Sequence, residues 1–352
     1  MSKSARPLPR QDQSRRQFVH SLGLAIGLGL VGRAHAAEPA SASVSMASRS
    51  RPPPPAAAAP SVILLGTGGG PVIGATRHMA GNVLVTKGEA YLIDCGYGVA
   101  GQLARAHVDL STLSSVFVTH HHPDHNLELG TVLTISWLYG RRQPVAVYGP
   151  PPITQMVADY LRMVSPTTDG WINDVQAPPF PDIHAHDVSV AGAVMENGNL
   201  RVAAAVVQHP PIAPAFAYRF ECQGRSVVFS GDTAPCEALV ELATDADVLV
   251  HEAMDAAAIE ASIRSDYERE VRAGNPNAEM YRPEPWIAHM RRSHSSAVEV
   301  GRMAARARVK TLVLSHFVPG DRRVTDAAWR AAAAKHFHGH IVVGHDLMVV
   351  PL

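Results

Sequence analysis

The chain has 352 residues, of which 46% are hydrophobic and 18% charged, and its 31 basic and 31 acidic residues cancel. This length and apolar content are enough to bury the core of one full domain or of two small ones. Beyond the N-terminus no run of eighteen apolar residues occurs, which argues against a membrane-spanning body. The three cysteines are too few for a disulfide scaffold. We expect small buried side chains at Cys95, Cys222 and Cys236, with a bridge between the last two left open.

The first 36 residues have the pattern of an export signal. Arg15 and Arg16 precede an apolar stretch over residues 22–31, and the sequence Ala34-His35-Ala36 follows. A basic head, a short apolar core and a small-x-small site are typical of a secretory signal, and the paired arginines resemble a twin-arginine signal. We predict a signal peptide over residues 1–36, cleavage after Ala36, and a periplasmic or secreted product. The apolar stretch is too short to remain as a stable membrane anchor.

Removal of this signal would leave an acidic body. The segment carries six basic residues and one acidic residue, so residues 37–352 hold 25 basic and 30 acidic residues, a net charge of −5. Such a charge is a poor electrostatic match for a polyanion, so we do not expect nucleic acid as a partner. Residues 37–60 are rich in Ala, Ser and Pro and lack apolar periodicity, which predicts a disordered linker.

The folded domain is predicted to occupy residues 61–352. It opens with three strands, a helix and a strand, and the glycine cluster Gly66–Gly70 predicts a tight turn because no Lys-Ser/Thr pair follows it. A second half, beginning with the strand at 144–148, repeats the mixture of strands and helices. Two such halves packed sheet to sheet predict an α/β fold, a four-layer αββα sandwich. The predicted elements are strands at 62–65, 82–85, 90–94, 115–118, 144–148, 200–208, 216–221, 226–230, 248–250 and 311–314, and helices at 99–106, 151–163, 236–243 and 295–308.

The strongest chemical signal is a histidine-rich loop directly after the fourth strand. It places His120, His122, Asp124 and His125 within six residues. Imidazole and carboxylate together suit divalent zinc, manganese or iron better than calcium or magnesium. His120 and His122 alternate to one side and can share one ion. Asp124 and His125 then point to a second ion, which leaves His121 facing elsewhere. A surface loop that binds metal incidentally is the weaker alternative for this spacing.

Two ions need more ligands than this loop offers. His209, Asp232 and His316 each follow directly after an apolar strand, the position where α/β folds place their sites. Any one of them alone would be interpreted as a loop residue. Their repetition beside the histidine loop instead predicts a metal centre assembled at strand ends.

Several short motifs occur along the chain in a recognisable order. Together they resemble the metallo-β-lactamase superfamily over residues 62 to about 350 and, more narrowly, its ribonuclease Z and arylsulfatase branch. The motifs are Leu65-Gly66-Thr67-Gly68, Asp94-Cys95-Gly96, the His120–His125 loop, Tyr148-Gly149-Pro150, Ser230-Gly231-Asp232-Thr233, His251-Glu252-Ala253, His294-Ser295-Ser296 and Ser315-His316-Phe317. The resemblance implies two zinc ions, with manganese or iron as alternatives. It implies that one ion is held by His120, His122 and His209, that the other is held by Asp124, His125 and His316, and that Asp232 bridges them.

The resemblance also implies catalytic roles. Two bound ions would activate a water molecule for attack on an ester, and Asp124 would orient that water through its second oxygen. His294 is similar to the superfamily's candidate for the proton donor, and Glu252 would hold its imidazole in the protonated form. The alternative for His294 is a solvent-exposed residue beside a helix cap.

The substrate is open to three interpretations. We favour an exported hydrolase of a small anionic sulfate or phosphate ester. A tRNA 3′-end endonuclease like ribonuclease Z is disfavoured by export, by the acidic body and by an insertion at residues 255–290, a connection that the tRNA enzymes keep much shorter. We expect this insertion to rim the active site. A non-catalytic metal-binding protein would require the loss of ligands, and none is lost. Lactonase chemistry would use the same centre, and the sequence leaves a homodimer open.

Overall fold

The computed structural model describes residues 59–70, 76–321 and 323–352. The signal peptide predicted over residues 1–36 lies outside these ranges, as does the predicted linker up to residue 58. Within the described part of the chain, no helix combines the length and the apolar character needed to cross a bilayer. The described cysteines form no disulfide; Cys95 and Cys222 are buried, and Cys236 is partly buried.

Every strand and helix predicted from the sequence is present, and the structure adds others. The strands are β1 (Ser61–Gly66), β2 (Gly81–Thr86), β3 (Glu89–Ile93), β4 (Leu113–Phe117), β5 (Val145–Gly149), β6 (Ile183–Asp187), β7 (Gly192–Glu196), β8 (Arg201–His209), β9 (Ile212–Cys222), β10 (Arg225–Phe229), β11 (Val248–Met254), β12 (Thr311–Val318), β13 (His340–Val343) and β14 (Met348–Pro351). The helices are α1 (Val99–Arg105), α2 (Pro123–Asn126), α3 (Leu129–Leu138), α4 (Ile153–Asp174), α5 (Glu237–Leu242), α6 (Ala256–Arg272), α7 (Pro283–Ser293), α8 (Ala297–Ala307) and α9 (Asp326–Ala333).

The strands form two mixed seven-stranded sheets. The first has the order β14-β1-β2-β3-β4-β5-β6 and the second the order β13-β12-β11-β10-β9-β8-β7. Neighbours run parallel from β3 to β6 and from β10 to β13, and the remaining pairs are antiparallel. Parallel neighbours end at the same edge of a sheet, so residues at the carboxyl ends of β10, β11 and β12 can converge there. The loop after β4 reaches the same region from the first sheet.

The prediction that the second half of the fold begins with the strand at 144–148 is wrong, because β5 and β6 both belong to the first sheet. The strand at 144–148 was expected to open the second half, but β5 pairs in parallel with β4 in the first sheet. The chain crosses to the second sheet only after β6, and β14 returns to pair with β1. The reason is that α3 provides the crossover a parallel neighbour requires, and hydropathy along the chain does not show which sheet a strand joins.

The interior between the sheets is apolar and dense with aromatic rings. Side chains alternate along β1, so that Val62 and Leu64 face the second sheet while Leu65 faces the helices of its own side. Phe117 packs edge-on against Phe220 of the opposite sheet, with 5.0 Å between the ring centroids. Such pairs add roughly 0.5–1.5 kcal/mol to the free energy gained by burial alone.

Helices cover the outer face of each sheet. On the first sheet, α1, α3 and α4 bury apolar side chains such as Leu103, Leu133 and Val157 against the strands. On the second, α5, α8 and α9 do the same, with Val300 and Trp329 among the buried residues. The result is the four-layer αββα sandwich that the order of elements predicted.

The insertion at residues 255–290 folds as a pair of helices. The Asp255 side chain caps α6 by accepting a hydrogen bond from the Ala258 backbone amide. An ion pair between Arg291 of α7 and Glu260 of α6, 2.6 Å long, joins the two helices. The sequence of α6 lacks a strong apolar stripe, and none of its residues is fully buried. Because that stripe is the signal by which a helix is predicted, α6 was not predicted.

Candidate metal centre

The histidine-rich loop leaves β4 and turns into the short helix α2. Asp94, at the end of β3, holds this loop from beneath. Its carboxylate accepts hydrogen bonds from the Thr119 amide at 2.8 Å, the Thr119 hydroxyl at 2.9 Å and His125 Nδ1 at 2.8 Å. His120, Asp124 and His125 are each at most 2% exposed. The loop residues are therefore close together because they are neighbours in the sequence, and hydrogen bonds to the buried Asp94 carboxylate fix the conformation of the loop.

One cluster joins His120, His122, His209 and Asp232. His122 Nδ1 lies 3.0 Å from His120 Nε2 and 3.1 Å from His209 Nε2. Asp232 Oδ2 lies 3.9 Å from the Nε2 atoms of His120 and His209. All four ligand-type atoms lie within 4.8 Å of one another, which is the spacing expected of groups that surround one ion.

A second cluster joins Asp124, His125, Asp232 and His316. The Nε2 atoms of His125 and His316 are 3.1 Å apart, and each lies 3.2 Å from Asp232 Oδ1. Asp124 Oδ2 lies 3.3 Å from His316 Nε2. Asp232 therefore presents one carboxylate oxygen to each cluster. All seven residues singled out in the sequence lie in these two clusters.

The chemistry of these atoms fits a pair of divalent cations. Asp124 Oδ1 and Asp232 Oδ1 are buried and have no hydrogen-bond partner. Buried acceptors without partners are costly, and a cation in the second cluster would satisfy Asp232 Oδ1, the oxygen that faces it. Two carboxylates with five imidazoles form the mixed oxygen and nitrogen set that zinc and neighbouring transition metals prefer.

Three of the imidazoles are held from behind by hydrogen bonds. His125 Nδ1 donates to Asp94, His209 Nδ1 donates to the Ser293 carbonyl at 2.8 Å, and His120 Nδ1 lies 3.1 Å from the Thr119 hydroxyl. Each contact leaves Nε2 directed at the clusters, the arrangement found behind metal-bound histidines. His121 points away, with Nε2 2.8 Å from the Pro150 carbonyl, as the alternation along the loop predicted.

Irregular backbone brings some of these groups into position. His316 has a φ of 42° and is the extra residue of a bulge, because Ser315 pairs with Glu252 while Phe317 pairs with the next residue, Ala253. Bulges redirect side chains and are common beside active sites. Gly96 allows a close backbone approach, since a Cβ there would lie 1.9 Å from the Asp124 carbonyl oxygen.

His294 lies beside both clusters and is 7% exposed. It follows α7 directly, at the C-cap position, and its burial contradicts the alternative of a solvent-exposed residue beside a helix cap. Its Nδ1 donates to Glu252 Oε2 at 2.8 Å and lies 4.0 Å from Asp232 Oδ2. Glu252 Oε1 accepts a hydrogen bond from the Thr233 amide at 2.6 Å. A buried carboxylate thus fixes the ring against the centre, with Nε2 left to face a reacting group.

Comparison with known proteins places this geometry in a family. The model of the Beta-lactamase superfamily domain matches residues 89–317. The chain belongs to the metallo-β-lactamase superfamily. It is a metal-dependent hydrolase acting on ester bonds, and proteins of this superfamily bind a pair of metal ions, usually zinc.

Its similarity to individual proteins points to one branch of that superfamily. A protein named ribonuclease Z from Mycobacterium bovis (strain BCG / Pasteur 1173P2) is 33% identical over 292 residues, which cover 81% of this chain and 96% of the relative. The crystal structure of the short form of human tRNase Z (ELAC1) is 21% identical with a TM-score of 0.59, covering 82% of this chain and 98% of that one. A diphosphatase of the PhnP family is 17% identical with a TM-score of 0.55, covering 83% of this chain and 98% of that one. The chain therefore belongs to the ribonuclease Z branch of the superfamily.

The electrostatics of the metallo-β-lactamase site keep the His209 imidazole neutral, the Asp124 carboxylate ionised and the His294 imidazole protonated. Burial lowers the pKa of His209 to about 4, so this ring is neutral and offers a lone pair. Burial alone would raise the pKa of Asp124, but the His125 and His316 imidazoles lower it to about 2. Burial opposes protonation of His294, yet the charge and hydrogen bond of Glu252 raise the pKa of His294 to about 9.

Sequence reasoning missed two contributors to the site. The Gly70 amide donates to Asp124 Oδ2 at 3.0 Å, so the glycine cluster supplies a hydrogen-bond donor to the centre as well as a turn. His289 of α7 lies with its ring centroid 6.1 Å from that of His294 and 6.3 Å from that of His209. It neither follows a strand nor belongs to a motif, so only its place on a helix packed beside the site reveals it.

Proposed function

We propose that the chain is an exported two-metal hydrolase of small phosphate esters, with sulfate esters as a less favoured substrate. The observation that carries the proposal is that Asp232 presents one oxygen to each of two clusters, beside a buried His294–Glu252 pair. Two adjacent cation sites with a proton donor at their edge suit displacement at a tetrahedral ester centre better than they suit storage of metal.

Two zinc ions are proposed as the resident cofactors, one in each cluster. When bound, such a pair lowers the pKa of a water molecule and stabilises charge on the ester oxygens. His120, His122 and His209 would hold one ion and Asp124, His125 and His316 the other. The Asp232 carboxylate would join them.

The protein's own side chains would orient the water and move the protons. Asp124 uses Oδ2 to accept from the Gly70 amide, while Oδ1 has no partner and can orient the attacking water. His294 would donate the proton on Nε2 to the leaving oxygen, because its Nδ1 is engaged by Glu252. Glu252 stabilises the charged imidazole before that transfer.

A phosphate ester is preferred to a sulfate ester as the substrate because of the activities for which similar proteins are named. Two of these proteins, the ribonuclease Z and the PhnP-family diphosphatase, are named for the cleavage of phosphate-containing substrates. A small substrate is preferred to RNA because residues 37–352 carry a net charge of −5. The α6–α7 insertion also brings His289 beside the centre, with its ring centroid 6.1 Å from that of His294.

Processing of precursor tRNA is the second candidate. It is favoured by the 33% identity that extends over 96% of the length of a protein named ribonuclease Z. Lactone hydrolysis would use the same centre, but no contact of the described residues favours it.

A direct comparison of substrates separates the first two candidates. The zinc-loaded protein, lacking residues 1–36, is expected to hydrolyse a small aryl phosphodiester and to leave precursor tRNA uncut at physiological salt. Without excess basic charge, RNA binding would lack the counterion release that supplies most of its affinity. The measurements are initial rates with the diester and gel analysis of the tRNA 3′ end. Efficient cleavage at that end would reverse the preference.

Export is proposed from the first 36 residues. We expect cell fractionation to find a product that begins near Ala37 outside the cytoplasm, and replacement of Arg15 and Arg16 with lysine to retain it inside. The paired arginines are the feature that export of already folded proteins requires. A full-length product in the cytoplasm of wild-type cells would contradict export and would favour the tRNA alternative.

A further inference from the structure

The second helix of the insertion carries a row of polar and aromatic side chains that ends at the metal centre. Trp286, His289 and Ser293 are spaced three and four residues apart along α7, so they lie on one face of that helix. His294 follows immediately. This helix face therefore extends from Ser293, the residue before the candidate proton donor, outward to a tryptophan.

Contacts between these residues fix the inner part of the row. The Ser293 carbonyl accepts the hydrogen bond of His209 Nδ1, and the Ser293 hydroxyl donates to the Pro210 carbonyl. The same hydroxyl lies 3.2 Å from His289 Nδ1 and can accept its hydrogen. His289 is thereby tied to the backbone behind a proposed metal ligand, with its ring 6.1 Å from that of His294.

Trp286 forms the outer end of the row. Its ring centroid is 6.5 Å from that of His289, nearly perpendicular to it. The side chain is 51% exposed, yet its Nε1 donates to the Met280 carbonyl at 3.2 Å. The helix beneath it is anchored by buried Ile287 and by the Arg291–Glu260 ion pair. A rigid, half-exposed indole presents a large contact face at a small cost in side-chain entropy.

We propose that Trp286 and His289 form a subsite for a planar aromatic group on the leaving side of the ester. This inference rests on the proposed function, because His294 marks the leaving side by protonating the departing oxygen. A ring attached to that oxygen would pass the edge of His289 and stack on Trp286. Aryl and nucleobase groups share the flat face that such stacking needs, so both fit the subsite.

Kinetics with two matched phosphodiesters test the subsite. One carries an aryl and the other a fluoroalkyl leaving group of the same acidity, so that only the ring differs. In the zinc-loaded enzyme, Trp286→Ala should lower kcat/KM for the aryl diester by about tenfold, in line with the loss of one stacking contact. It should change kcat/KM for the fluoroalkyl diester by less than about twofold, and Trp286→Phe should restore most of the aryl preference.

A binding experiment gives a readout that does not need turnover. Calorimetry of the zinc-loaded enzyme should show tighter binding of phenylphosphonate than of cyclohexylphosphonate, with the difference lost in Trp286→Ala. Tyr139→Ala is the matched control, because Tyr139 is an exposed aromatic residue at the end of α3, and it should keep the difference. An unchanged aryl preference in Trp286→Ala by either measurement would overturn the subsite. If the wild type hydrolysed neither diester, the proposed function would fail, and the binding comparison would still decide the subsite.

Discussion

Replacing Asp232 with alanine is expected to strip the protein of metal and to lower kcat by roughly 10⁴-fold or more, because activation of water depends on the bound ions. The purified wild type should contain about two equivalents of zinc or a similar metal per chain. Asp232 is the one residue shared by both clusters. Its loss would remove an anionic oxygen from each cluster and leave Asp124 as the one carboxylate among five imidazoles.

Metal analysis by emission spectroscopy and initial rates on the same sample would check this expectation. Asp232→Asn is the matched variant, since it keeps the shape of the side chain and removes its charge, and it should lose less metal than Asp232→Ala. Asp159→Ala, which alters an exposed carboxylate on α4, should leave metal content and rate unchanged. Full activity in the metal-free wild type would contradict the two-metal hypothesis.

Replacing His294 with alanine should lower kcat by about 10²–10⁴-fold, the range for loss of a general acid. Metal content should stay intact, because His294 is outside the two clusters. The loss should shrink for esters of acidic alcohols such as nitrophenols, since these leave without a proton. Rates for a series of diesters with leaving groups of graded acidity would measure this dependence.

The partner of His294 provides a second variant for the same test. Glu252→Gln keeps the size of the side chain but removes the charge that stabilises the protonated ring, so it should show a smaller loss with the same dependence on leaving group. His186→Ala, on the edge strand β6 and exposed, should behave as the wild type. Equal losses with good and poor leaving groups would show that His294 binds the substrate and does not protonate it. Loss of metal in His294→Ala would mean that the ligand set is misassigned.

Much of the fold and of the candidate site could be predicted from the sequence because those features are local. Alternating burial along β1 and short apolar runs before polar residues mark strands and their ends. The loop from His120 to His125 contains four of the seven cluster residues within six positions. Spacing alone showed that His120 and His122 face one way while His121 turns aside, because neighbouring residues in an extended chain alternate.

Other features depend on contacts between residues far apart in the chain. His316 meets Asp124 across 192 positions, and His294 meets Glu252 across 42. Local periodicity does not record such pairings, so the sheet that β5 joins was predicted wrongly, and the sequence left open whether His294 is buried beside the centre or exposed beside a helix cap. The helices of the insertion were missed for a related reason, since α6 buries none of its residues fully.

The sequence by itself determined which residue types stand at the ends of strands and that they suit two divalent cations. Only the tertiary structure decided how they converge. It directs one oxygen of Asp232 to each cluster, uses Asp94 to orient His125, and inserts His316 through a bulge. The physical reason is that ligand geometry depends on the packing of two sheets against each other, and this packing is set by buried contacts throughout the core.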